Sequence, residues 1–146
     1  MRVLVVYDSV YGNTEKIAEA IGRGIGGDAK VVRVSKSALA DAGPVDMLVV
    51  GSPTLGGRPS QPVQDFLAGI PETTVKGMKV AAFDTRYSGK FVKMFGFAAE
   101  KIAESMVSKG AKLAAPPEGF VVTGKKGPIR EGEHERAALW AKEIAK

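Results

Sequence analysis

Residues 4–18 read Leu4-Val5-Val6-Tyr7-Asp8-Ser9-Val10-Tyr11-Gly12-Asn13-Thr14-Glu15-Lys16-Ile17-Ala18, an apolar run followed by a short polar loop and a helical pattern. This order predicts a strand, a tight turn and the N-terminus of a helix. Such a turn collects unpaired backbone N–H groups at the positive end of the helix dipole, where they bind phosphate without a lysine or an arginine. The stretch therefore predicts a phosphorylated ligand.

The side chains of this loop suit the same task. Ser9, Asn13 and Thr14 offer donors, and Gly12 lets the backbone approach a dianion closely because it has no Cβ. The alternative is that Asn13 or Thr14 only caps the helix, which contributes about 1 kcal/mol in many proteins. A cap explains one or two of these residues, whereas the full run after a strand favours phosphate.

Composition limits the class of protein. A chain of 146 residues suits one domain, spanning residues 1–146. It contains no cysteine and a single histidine, His134, so we expect no disulfide, thiol nucleophile or metal site. The first apolar run is too short for a signal-peptide core or a membrane span. We therefore predict a cytoplasmic protein without membrane insertion.

The net charge of +5 raises the question of nucleic acid or an acidic protein as partner. The lysines and arginines are scattered and form no stripe with interleaved aromatic residues, so we predict no nucleic acid.

Apolar runs alternate with helical patterns along the whole chain, which is typical of a parallel sheet with helices on both faces. Strands are predicted at 3–7, 29–34, 47–50 and 79–83, with a fifth at 112–115 and 120–122 that Pro116-Pro117 interrupts. Glycines from Gly22 onward are predicted to end the first helix, and Trp140 is predicted to lie in the core. The loops after strands one, three and four carry glycines and hydroxyls, which places a ligand at the carboxyl edge of the sheet.

Other phosphate-binding classes fit poorly. No G-x-G-x-x-G follows the first strand, and no lysine with serine or threonine closes a glycine loop, which disfavours a dinucleotide fold and a nucleotide hydrolase. A phosphoacceptor domain would need an acidic residue after the third strand, where the chain has Gly51-Ser52.

The chain resembles the flavodoxin family over essentially its whole length, in the short form without an insertion in the fifth strand. The likeness rests on Asp8 to Thr14 as a phosphate loop, Ser52-Pro53-Thr54-Leu55-Gly56-Gly57 as a first flavin loop and Asp84 to Gly89 as a second. It implies an α/β fold, a doubly wound five-stranded parallel sheet of order 2-1-3-4-5 in a three-layer sandwich. It also implies non-covalent FMN and the transfer of single electrons between redox partner proteins.

The resemblance gives a set of expected FMN contacts, with no catalytic residue and no metal ligand. The set is Ser9, Val10, Tyr11, Gly12, Asn13, Thr14, Pro53, Thr54, Leu55, Gly56, Gly57, Asp84, Thr85, Arg86, Tyr87 and Gly89. In the family, a peptide after the third strand turns over on reduction so that its carbonyl accepts a hydrogen bond from flavin N5. The aligned carbonyl is that of Gly56; alternatively, Gly56 and Gly57 only mark a flexible turn.

Two features depart from the common family pattern. Leu55 stands where many flavodoxins have an aromatic residue on the flavin, which leaves Tyr87 as the first stacking candidate and Phe91 as the second. Four cations lie in or beside the flavin loops and predict a field that favours the anionic, fully reduced flavin and steers an acidic partner: Arg58, Arg86, Lys90 and Lys93.

The leading functional prediction is an FMN electron carrier. The alternative is a flavodoxin-like, FMN-dependent oxidoreductase that acts directly on a quinone or a protoporphyrinogen. A third possibility is a binding module without flavin.

Overall fold

A parallel sheet forms the centre of the computed structural model, which describes residues 1–87 and 96–146. The strands are β1 (Val3–Tyr7), β2 (Lys30–Arg33), β3 (Met47–Pro53), β4 (Lys79–Tyr87), β5 (Lys112–Leu113) and β6 (Glu118–Val122). The helices are α1 (Asn13–Ile25), α2 (Ala38–Asp41), α3 (Gln61–Gly69), α4 (Glu72–Val75), α5 (Ala98–Ser108) and α6 (Glu133–Ile144). None of the helices in these two ranges is both long and apolar enough to span a bilayer.

The strand order is β2-β1-β3-β4, with β5 and β6 both pairing in parallel with β4. This confirms the predicted order 2-1-3-4-5, because β5 and β6 are the two pieces of the predicted fifth strand. β5 pairs with the start of β4 and β6 with its end, with Pro116-Pro117 between them. The sheet is thus six-stranded only because the proline pair divides its last position.

β3 and β4 are longer than the sequence predicts. Ser52 and Pro53 pair with Asp84 and Thr85, so both strands continue in register past their apolar runs. The same part of β4 pairs with β6 through Tyr87. The prediction that a loop begins at Asp84 is therefore wrong, since residues 84–87 are strand.

The two faces of the sheet are covered separately. Alternate strand residues pack against α1 and α6 on one face and against α3 and α5 on the other. Phe83, Phe120 and Trp140 form an edge-to-face cluster with ring centroids 6.0 to 6.3 Å apart. This cluster confirms that Trp140 is a core residue.

Glycines within α1 allow close packing. The helix continues through Gly22 and Gly24 and ends before Gly26, so the prediction that the cluster from Gly22 onward ends it is wrong for its first two members. A Cβ on Gly24 would lie 2.7 Å from the carbonyl oxygen of Ala138, which shows that α6 crosses α1 at this glycine.

Candidate cofactor-binding site

A cleft opens at the carboxyl edge of the sheet, where the loops after β1 and β3 meet the ends of β4 and β6. It is lined by Ser9, Val10, Tyr11, Asn13, Thr14, Pro53, Thr54, Leu55, Thr85, Arg86, Tyr87, Val122 and Lys125. Three separate sequence segments that were predicted to bind FMN therefore line one cleft.

Not every predicted residue faces this cleft. Gly12, Gly56 and Gly57 lie in the bordering loops without lining it, and Asp84 is buried beneath it. Four residues named from the sequence lie outside the described residues: Gly89, Lys90, Phe91 and Lys93.

The loop after β1 presents the start of α1 to the cleft. Gly12 is the N-cap residue, with φ of 93°, and no side chain in the described part of the chain caps the helix. Ser9 Oγ accepts a hydrogen bond from Gly12 N at 3.0 Å, and Thr14 Oγ1 lies 2.7 Å from Thr85 Oγ1. The alternative in which Asn13 or Thr14 caps the helix is therefore wrong, because these are its first two residues. The uncapped first-turn amides fit a phosphate dianion.

Arg33 holds this loop from the edge strand β2. Its guanidinium donates to Asp8 Oδ1 at 3.2 Å and to Ser9 O at 3.1 Å, and it lies 5.4 Å from the centroid of the Tyr7 ring. Sequence analysis missed this residue, although the parallel register that pairs Tyr7 with Arg33 places it at the loop.

Tyr7 ties the strand before the loop to the helix after it. Its hydroxyl donates to Glu15 Oε2 at 2.7 Å. Burial, followed by this hydrogen bond, raises the pKa of Tyr7 to about 12. The hydroxyl therefore remains a donor at neutral pH.

The loop after β3 forms a tight turn at residues 55–58. Leu55 N donates to Arg58 O at 2.8 Å and Arg58 N to Leu55 O at 3.1 Å, with φ of 58° at Gly56 and 80° at Gly57. Two central residues with positive φ define a type I′ turn. Glycine adopts positive φ at both positions without strain.

The same turn is anchored on both sides. Thr54 N donates to Thr85 O at 2.9 Å, and Thr54 Oγ1 accepts from Ala98 N at the start of α5 at 3.1 Å. Lys101 Nζ donates to Gly57 O. The turn is consequently positioned by β4 and α5 as well as by its own strand.

Apolar side chains frame the mouth of the cleft. Val10, Tyr11, Leu55 and Tyr87 are 54%, 44%, 46% and 37% exposed, although each is large and apolar. Exposed apolar groups gathered around a cleft are typical of a binding site. Tyr87, at the end of β4, lines the cleft where a stacking residue was expected.

Asp84 and Arg86 have a different environment from the one that the sequence predicts. The Asp84 carboxylate is completely buried and accepts from Arg86 Nε at 2.7 Å, from Arg86 Nη2 at 2.8 Å and from Ala99 N at 2.9 Å. The guanidinium lies 3.5 Å from the centroid of the Phe97 ring. Asp84 thus holds Arg86 and α5 in place, and it neutralises one of the four predicted cations.

Val122 and Lys125 line the cleft but were missed by sequence analysis. The sequence feature that could have indicated them is the short loop, rich in glycine and lysine, directly after the last strand. In a parallel sheet the loop after every strand reaches the same edge, so this segment belonged with the other three loops.

Comparison with known proteins agrees with the fold. The family model described as Flavodoxin matches residues 5–140. A solved flavodoxin from the domain Archaea is 25% identical, with a TM-score of 0.74, and the match covers 99% of this chain and 96% of that one. The flavodoxin of Klebsiella pneumoniae is 26% identical over 121 residues, which is 75% of this chain and 69% of that protein.

A larger protein also contains a similar segment. The putative diflavin flavoprotein A 6 of a Nostoc species is 38% identical over 88 residues, which is 56% of this chain but only 15% of that protein. Because the Flavodoxin model spans nearly all of the chain and the strand order is the expected one, this chain belongs to the flavodoxin family.

Proposed function

We propose that this flavodoxin carries single electrons between redox proteins, with FMN held in the cleft described above. FMN is the cofactor of the family, and when bound it supplies a centre that accepts and releases electrons one at a time. The observation that carries the proposal is the uncapped N-terminus of α1 facing a cleft framed by apolar side chains.

The phosphate of FMN is assigned to the loop after β1. A helix N-terminus stabilises a nearby anion by about 0.3–1 kcal/mol when exposed and by up to about 2 kcal/mol when partly buried. Asn13 is 8% exposed and Thr14 is 1% exposed, which favours the upper part of this range. Hydrogen bonds from the first-turn amides to a charged oxygen add to this attraction.

The flavin ring is assigned to the space between Leu55 and Tyr87. Stacking on Tyr87 contributes about 0.5–1.5 kcal/mol beyond burial. Since turning over the central peptide of a type I′ turn gives a type II′ turn, the glycines at 56 and 57 permit two positions of the Gly56 carbonyl. When FMN is bound, this carbonyl would be the acceptor for the hydrogen bond from flavin N5.

The partner proteins are proposed to be acidic. Arg58 and Lys126 are exposed on loops at the same edge of the sheet as the apolar mouth of the cleft. Cations around an apolar contact patch orient an acidic partner before docking.

The first test is the visible spectrum of the purified protein, for which we expect the two bands of bound oxidised flavin. Dissociation constants for FMN and riboflavin then locate the phosphate. We expect Gly12→Val to weaken the binding of FMN at least about tenfold more than that of riboflavin. Valine does not keep the φ of 93° without strain, so the loop would lose charge-assisted hydrogen bonds from its N–H groups to the phosphate.

Gly132→Val is the matched control. Gly132 is the N-cap of α6, with φ of 90° and ψ of −14°, and Gly12 has φ of 93° and ψ of −8°. Among the described residues, neither has an atom within 4 Å of a built Cβ, so both substitutions introduce the same backbone strain. Equal loss of FMN and riboflavin in Gly12→Val would contradict the phosphate assignment. Turnover of a quinone by the protein alone would replace the carrier role with the enzyme alternative.

A further inference from the structure

The segment after β6 folds back as a small hairpin over the start of α1. Thr123 N donates to Pro128 O at 2.9 Å, and Arg130 N donates to Val121 O at 2.9 Å. At the tip, a hydrogen bond of 3.0 Å from Gly127 N to Gly124 O closes a four-residue turn at 124–127. Lys125 and Lys126 therefore occupy the two central positions of this turn.

The turn is seated directly on the loop assigned to phosphate. A Cβ built on Gly127 would lie 2.7 Å from Asn13 Oδ1 and 2.9 Å from Asn13 Nδ2, closer than any side chain permits. The backbone at Gly127, with φ of 101°, thus packs against the first residue of α1. This contact places the lysine-bearing turn at the positive end of the helix.

The turn at 124–127 carries positive charge, whereas a position next to a helix N-terminus favours negative charge. Helix N-termini carry a partial positive charge, so acidic residues stabilise them and cations destabilise them. Here Lys125, in the turn that packs on Asn13, lines the cleft together with Ser9, Asn13 and Thr14. A dianion between the lysine and the helix would turn this repulsion into attraction on both sides.

We propose that Lys125 is a charged part of the phosphate site, with its ammonium group paired with the FMN phosphate across the cleft from the first turn of α1. The proposal rests on the assignment of the phosphate to the loop after β1. It adds a cation to a site for which the sequence predicts that backbone N–H groups and the helix dipole alone neutralise the phosphate. Lys126, which is exposed but does not line the cleft, has no such role.

The experiment compares Lys125→Gln with Lys126→Gln, which removes the same charge one residue away. Dissociation constants of FMN and riboflavin are measured by quenching of flavin fluorescence at low and at moderate salt. Loss of one charge-assisted hydrogen bond predicts FMN binding on the order of tenfold weaker in Lys125→Gln, with riboflavin unchanged. The effect should shrink as salt screens the charge, and Lys125→Arg should retain most of the affinity.

The outcomes separate this proposal from the one on which it rests. If wild-type protein prefers FMN to riboflavin but Lys125→Gln keeps that preference in full, the role of Lys125 is wrong and the phosphate loop stands. If the two Gln variants lose FMN equally, a general field and not a contact is responsible, and the proposal is again overturned. If wild-type protein does not prefer FMN, the phosphate assignment itself fails.

Discussion

Replacing Gly56 by alanine tests whether the turn at residues 55–58 turns over when bound FMN is reduced. Gly56 has φ of 58°, and no atom lies within 4 Å of a Cβ built on it. Alanine therefore meets no steric obstacle within the described part of the chain, and its effect comes from the backbone alone.

The magnitude follows from the two turn types. In the observed type I′ turn, Gly56 is in the left-handed region, which costs alanine about 1–2 kcal/mol. In the type II′ turn that results from turning over the central peptide, the first central position is one that only glycine fills readily, with a cost of up to about 3 kcal/mol for other residues. Alanine thus disfavours the turned-over form by a further ~1–2 kcal/mol. At ~59 mV for each factor of ten in a one-electron equilibrium, the first reduction potential of bound FMN falls by roughly 40–90 mV.

The assay is a potentiometric titration of the FMN-loaded protein followed by its visible spectrum. Gly27→Ala is the control. Gly27 lies between α1 and β2 with φ of 55°, and no atom of residues 1–87 and 96–146 lies within 4 Å of a Cβ built on it. Both variants should lose about 1–2 kcal/mol of unfolding free energy from the same strain, but only Gly56→Ala should change the potential.

Two results would refute this reasoning. If both variants are destabilised alike and neither potential moves, the turn keeps one conformation in both redox states. If the potential of Gly56→Ala rises, the observed conformation, and not the turned-over one, belongs to the reduced protein.

Two further predictions concern acid stability and partner encounter. Hydrogen bonds from Arg136 lower the pKa of buried Glu133 from 4.5 to about 2, and Val121 N donates to the same carboxylate at 2.7 Å. The stabilisation by ionised Glu133 is therefore complete above pH 4.5 and is lost as the pH falls through about 2. In urea unfolding between pH 6 and pH 2.5, the free energy of unfolding of wild-type protein should fall by on the order of 2–3 kcal/mol more than that of Glu133→Gln, which should itself be less stable than wild type at pH 6. Electron transfer to an acidic redox protein should slow as ionic strength rises, and more steeply than in Arg58→Gln, whereas a rate that ignores salt would remove the proposed acidic partner.

The parts of the site that sequence predicts well are those fixed by neighbouring residues. The strand from Val3 to Tyr7, the turn at Gly12 and the helix from Asn13 follow each other directly, so their hydrophobic period and turn chemistry suffice. The glycine pair at 56 and 57 predicts a positive-φ turn for the same reason.

The parts that sequence misses depend on pairing between distant segments. Asp84 to Tyr87 are polar and resemble a loop, but β6 and β3 flank them and convert them into strand. Arg86, which pairs with the Asp84 carboxylate, is only two residues away in the sequence. The burial of this pair depends on α5, which packs over it and donates from Ala99 N. Lys125 reaches the cleft because a hairpin folds back onto Asn13, and no local pattern specifies that contact.

The two ends of the cleft are built for different tasks. At the phosphate end, the loop is fixed to its surroundings by Arg33 on Asp8, by Thr14 on Thr85 and by Gly127 against Asn13. A site fixed before binding loses little entropy when the anion enters, so this end sets affinity.

At the ring end, Thr54 holds the start of the 55–58 turn and Lys101 Nζ donates to Gly57 O, while the central peptide of the turn joins Gly56 to Gly57. We expect that peptide to change conformation at low cost, so under the proposed function this end would set the balance between redox states. Substitutions at Gly12 or Lys125 should therefore change FMN affinity with little effect on the difference between the two one-electron potentials. Substitutions at Gly56 should do the reverse. A variant at the phosphate end that shifts the potentials apart without weakening FMN would show that the two tasks are not divided in this way.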